Sequence, residues 1–132
     1  MKTQRKAKTN AKMRAEFGNA GIAGLASGGW FLGHFVRDKS MRATEAVEIK
    51  WGLHEAGGWT DWKSQPGKKT ITLLLSGEFV VQFRSGKIVE TFNLRVPGDF
   101  VVWEDDHEHR WKALTDAMII SVRWPSLVPK RG

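Results

Sequence analysis

GGWTDWKSQPGKKTITLLLSGEFVVQF, residues 57–83, decides the fold. It reads as a long loop running into one strand, a tight turn at Ser76-Gly77 and a return strand. From Glu78 to Arg84 apolar and polar residues alternate, the period of a half-buried strand. A second turn, Ser85-Gly86-Lys87, leads into a strand from Ile88 to Leu94, and Pro97-Gly98-Asp99 opens another over Phe100-Val101-Val102-Trp103. Short strands separated by glycine turns at such regular intervals predict an antiparallel sandwich or barrel.

Working outward, the chain keeps the same habit. Trp30 to Val36 is too apolar for a surface segment and reads as a mostly buried strand. In the next strand, Glu45 to Leu53, Val47, Ile49 and Trp51 face one way and Glu48 and Lys50 the other. The Lys50 face is solvent in an open sheet and lumen in a barrel. After Trp103 comes a polar corner, Glu104-Asp105-Asp106, then a segment from His107 to Ala113, and a last strand from Ala117 to Trp124 ended by Pro125. Outside residues 1–29 no segment carries a helical period, so the fold class is all-β.

The chain has 132 residues and a formal net charge of +7, enough for one domain with a tail. The charge is local. Lys2, Arg5, Lys6, Lys8, Lys12 and Arg14 stand against Glu16 alone, a net +5 before residue 17. Residues 1–29, poor in core-forming side chains, are expected to form a basic, Gly/Ala-rich arm, disordered or briefly helical, and residues 30–132 the barrel. Contact with nucleic acid or another acidic partner is expected only through that arm. There is no cysteine, which removes disulfides, thiolate metal sites and cysteine nucleophiles and suits a cytoplasmic location. No apolar run reaches the ~20 residues that span a bilayer.

The spacing of the central residues resembles the cupin superfamily, small barrels made of a double-stranded β-helix. In its first motif, G-x5-H-x-H-x(3,4)-E-x6-G, Gly57 and Gly77 stand at the ends and the three ligand places fall on Lys63, Gln65 and Thr70. In the second, G-x5-P-x-G-x2-H-x3-N, Gly98 and His109 match, while Glu104, Asp106 and Ala113 replace proline, glycine and asparagine. The resemblance covers about residues 30–124 and implies a jelly-roll barrel, paired as a homodimer, with Trp30, Phe31 and Phe35 as interface candidates. It also implies that the metal site of metal-bearing cupins is lost. An ammonium at position 63 repels a cation, Gln65 and Thr70 are feeble neutral donors, and His109 alone retains no metal.

The expected function is therefore binding of a small polar or anionic ligand, of sugar or carboxylate type, without a cofactor, and whether the bound ligand is altered is left open by the sequence. Lys63, Gln65, Thr70, His109 and Arg123 would supply a polar lumen, with Trp62 and Trp111 as apolar walls. One alternative is a metal-dependent isomerase or dioxygenase holding a divalent transition metal on an irregular set, His34, His54 and His109. A metal-free catalyst would need a His base paired with a carboxylate. Asp105, Asp106 and Glu108, consecutive loop carboxylates, read as a solvated corner. The other alternative is a dimeric interaction module whose basic arm contacts an acidic partner.

Overall fold

At Gly77 the backbone takes φ +83°, and a Cβ there would stand 2.2 Å from the carbonyl oxygen of Asp116. Only glycine can make this hairpin corner without moving the neighbouring chain. The computed structural model describes residues 14–130. Its strands are β1 (Trp30–Leu32), β2 (Glu48–His54), β3 (Lys69–Ser76), β4 (Phe79–Ser85), β5 (Ile88–Leu94), β6 (Phe100–Glu104), β7 (Glu108–Ala113) and β8 (Ala117–Trp124). A five-stranded sheet in the order β1-β2-β8-β3-β6 faces a three-stranded sheet, β5-β4-β7. Every strand pair within the two sheets is antiparallel. The all-β reading and the hairpins of residues 69–94 stand.

Two details differ from the expectation. The first strand stops at Leu32, because the chain turns at Gly33, where any Cβ would meet the Phe35 ring and the Glu48 side chain. In β4, Phe79, Val80 and Val81 are all buried, since that strand is central in its sheet. Residues 14–29 touch the rest of the chain at Ser40 and Met41. Glu16 accepts hydrogen bonds from Ser40 Oγ (2.6 Å) and Met41 N (3.0 Å), and a four-residue helix, α1 (Ala20–Ala23), is capped by Asn19. The basic residues 2–12 lie outside the described residues, and so does any contact they make with an acidic partner. No helix among the described residues is long and apolar enough to cross a membrane.

The two sheets enclose a continuous apolar cluster of Leu74, Phe79, Val81, Leu94, Ala113, Ala117 and Ile119. Burying each of the larger ones contributes roughly 1.5–3 kcal/mol. Phe79, Val81 and Ile119 also border a cavity, so the core fills part of the barrel and the rest stays open.

The free edge of β7 is covered by residues 57–65. Gly57, Thr60 and Lys63 donate from their backbone nitrogens to the carbonyls of Ala113, Trp111 and His109, and His109 N returns a bond to Lys63 O. The Gly57 loop is thus a strap bonded along an edge that would otherwise be unpaired.

Candidate functional site

The alternation of strands and strap decides which side chains meet inside the barrel. On β2, Lys50 and His54 point inward. Thr70 and Thr72 do so on β3, His109 and Trp111 on β7, Ser121 and Arg123 on β8, and Lys63 and Gln65 come from the strap. Together with Trp30 and Trp103 they line a cavity of about 230 Å³. At about 30 Å³ per water-sized group, that is room for roughly seven or eight such groups.

Six of the expected lumen residues, Lys63, Gln65, Thr70, His109, Trp111 and Arg123, line this one cavity. Trp62 does not. It precedes Lys63 in the extended strap and so faces the opposite way, where its ring lies under the guanidinium groups of Arg84 (4.3 Å) and Arg110 (4.4 Å). Trp59 joins the same outer stack, between Arg110 (4.5 Å) and Lys112 (4.6 Å). The ring of Trp30, an interface candidate from the sequence, borders the cavity, 4.3 Å from the Arg123 guanidinium carbon.

The cations are of two kinds. Arg123 is neutralised by Glu48, a buried carboxylate that also accepts from Lys68 Nζ (3.4 Å) and Ser126 Oγ (2.8 Å). Lys50 and Lys63 have no such partner among the described residues. Their ammonium groups sit 5.5 and 4.5 Å from the centroid of the same indole, Trp111. Burial, followed by repulsion from Lys63 and Arg123, pushes the Lys50 pKa down to about 8.

The corner Glu104-Asp105-Asp106 is not uniformly solvated. Asp105 is fully buried, accepting from Thr70 Oγ1 (2.6 Å) and from the Trp103 indole N–H. Asp106 and Glu108 are exposed. The Asp105 carboxylate also lies 3.5 Å from His109 Nδ1, close enough for charge interaction, while Nδ1 itself is buried without a hydrogen-bond partner among the described residues. The available signal for this proximity was local: Asp105 and His109 flank a short turn into β7, four residues apart. His109 titrates below its ordinary range, chiefly through burial. Lys63 and Arg123 reinforce that direction, and Asp105 opposes it. His54, packed against Phe79 and Trp111, is pushed to about 4 by burial and then by Lys50.

This donor set does not fit a divalent metal. Among the described residues no three His, Cys, Asp or Glu side chains converge. His54 and His109 share the cavity, but His34 lies apart, with its Nδ1 2.7 Å from Ser126 Oγ. At the three first-motif places Lys63 stacks on Trp111, Thr70 is spent on Asp105, and Gln65 offers a neutral amide. Two ammonium groups beside the vacant donors would repel a cation.

Sheet order, strap and lumen define a cupin-type barrel. No protein-family profile matches the sequence, and no curated protein matches it. Solved structures do. KdgF from Halomonas sp. is 22% identical, with a TM-score of 0.54 over 62% of this chain and 71% of its own. A cupin superfamily protein from Desulfitobacterium hafniense is 19% identical, with a TM-score of 0.52 over 65% of this chain and 71% of its own. An oxalate oxidase is 18% identical, with a TM-score of 0.54 over 64% of this chain and 44% of its own. At these identities the likeness establishes the fold: the chain has the cupin fold.

Proposed function

We propose that the protein binds a small anionic ligand of carboxylate type inside its barrel, without a metal ion. The observation that carries this reading is the pair Lys50 and Lys63, two ammonium groups over one indole in a cavity, neither in an ion pair among the described residues. Partly desolvated like charges raise each other's energy, and an anion between them relieves that cost. Thr72, Ser121 and Gln65 supply uncharged hydrogen-bonding groups on the same wall, and Trp30 and Trp111 enclose the apolar part of a ligand.

Calorimetric titration of the purified protein with lactate at low ionic strength tests it. Binding is expected to persist when the protein has been stripped with a chelator, and to weaken at least roughly tenfold in Lys63→Gln, the worth of one charge-assisted hydrogen bond. Equal affinity in wild type and Lys63→Gln, or loss of binding on chelation, would reject the reading.

A further inference from the structure

We propose that Lys50 is a nucleophilic amine that forms an imine with the carbonyl of a small 2-oxo acid held in the barrel. The inference rests on the anion-binding reading above and names the ligand class more narrowly.

An amine that attacks carbonyls needs its lone pair free, shelter from water and a second group that fixes the substrate. Lys50 meets each condition. Its Nζ lies 5.9 Å from the Trp30 ring centroid and 5.5 Å from that of Trp111, rings that shelter it from water, and among the described residues no carboxylate pairs with it. The charged groups that face it are cations or neutral at physiological pH. They are Lys63 from the strap, Arg123 from β8, His54 from its own strand and His109 from β7, the last two held neutral by burial. Two buried carboxylates stand near the cavity wall among the described residues, and both are taken: Asp105 is bonded to Thr70 and Trp103, and Glu48 to Arg123, Lys68 and Ser126. Burial first, then the nearby charges of Lys63 and Arg123, disfavour a further positive charge, so Lys50 loses its proton more readily than a surface lysine.

The acid's carboxylate would then rest on Lys63, leaving the carbonyl carbon toward Lys50. The neutral amine attacks that carbon, the N–C bond forms, and the carbonyl electron pair moves to oxygen; the nitrogen, now cationic, gives up a proton and the oxygen takes one, which yields a neutral carbinolamine. A second proton delivered to the hydroxyl lets the restored nitrogen lone pair expel it as water, leaving a protonated imine. No oxidant or reductant is consumed. His109 is placed to move the protons: Asp105 lies on its Nδ1 side and the ring borders the cavity.

Reductive trapping tests the proposal on the unmodified full chain. The protein is incubated with pyruvate and cyanoborohydride near neutral pH, and each lysine is mapped by peptide mass. Reduction of the imine adds one N-(1-carboxyethyl) group. Lys50 is expected to carry it at more than roughly tenfold the rate of any surface lysine, because its neutral fraction is far larger. Trapping in Lys50→Arg should fall to the background of urea-unfolded protein. Lactate, which has no carbonyl, should bind and protect Lys50 from trapping. If lactate and pyruvate both bind but Lys50 is modified no faster than the surface lysines, the imine is wrong and the binding site stands. If neither acid binds at millimolar concentration, the anion-binding reading fails and the imine with it. Both readouts use wild type, so a variant that does not fold leaves the test intact.

Discussion

His109 Nδ1 stands 3.5 Å from Oδ1 of Asp105, a carboxylate with no solvent exposure. The pair sits in opposing fields. Burial and the cations Lys63 and Arg123 disfavour the imidazolium, whereas Asp105 favours it. Removing either influence should move the titration in a known direction. Asp105→Asn is expected to lower the His109 pKa further, because the only stabilising charge is gone, and Lys63→Gln to raise it. Imidazole proton shifts followed by NMR across pH measure both. Movement in the same direction in the two variants would show that Asp105 and Lys63 do not act on His109 through charge.

Thr70 Oγ1 donates to Asp105 at 2.6 Å in the closed wall of the barrel. Thr70→Val keeps the shape of the side chain and deletes the donor, leaving a buried carboxylate short of one partner. The expected cost is about 1–3 kcal/mol. Urea unfolding measures it as a fall in midpoint without a change in slope. Thr72→Val is a useful contrast. It breaks a neutral hydroxyl pair with Ser121 (2.8 Å) and should cost less. Equal losses would mean that the charge on Asp105 is not what makes Thr70 matter.

The strands were legible because glycine turns and the two-residue period are local properties, and the Gly77 corner shows why one residue type was required there. The lumen was legible where motif spacing carried it, at positions 63, 65, 70 and 109. Trp62 went astray because the strap was read as a loop. Once it pairs along β7, neighbouring residues 62 and 63 must face opposite ways. Lys50 could not be assigned from its own strand, since a polar row is outward in a sheet and inward in a polar barrel. That choice is made by closure, which depends on β8 lying beside β2 and β3. Asp105 was hidden by two charged neighbours, since one of its two hydrogen-bond donors, Thr70, is distant in sequence on β3, and only Trp103 is local.

His54 gives the fold a pH dependence. Its imidazole is held neutral by burial and by Lys50, with a pKa near 4 against an ordinary 6.5. Between those values the unfolded chain takes up a proton at His54 that the folded protein refuses, so the contribution of His54 to stability falls as pH drops from about 6.5 toward 4 and is constant above that window. His54→Gln removes the titrating group. The difference in unfolding free energy between wild type and variant should change across this window and stay level from pH 7 to 8. A difference that does not vary with pH would place His54 in an environment that leaves its titration undisturbed.

The outer face of the three-stranded sheet makes the last prediction. Trp62 is sandwiched by Arg84 and Arg110, and Arg84 is in turn paired with Glu108 at 2.8 Å. These contacts fasten the strap from outside while Lys63, the next residue, reaches inside. Trp62→Ala removes two cation–π contacts, each worth about 0.5–1 kcal/mol where half exposed, and should lower stability by about 1–2 kcal/mol. Because the backbone bonds from Lys63 to His109 remain, lactate affinity should stay within about twofold of wild type. Trp111→Ala is the opposite case. It deletes the ring shared by both lysines and should weaken binding more than Trp62→Ala does, even where the two lose similar stability. Thermal unfolding and calorimetry on the two variants separate the roles. Loss of affinity in Trp62→Ala equal to that in Trp111→Ala would mean that the strap's outer fastening, and not the lumen wall, sets the position of Lys63.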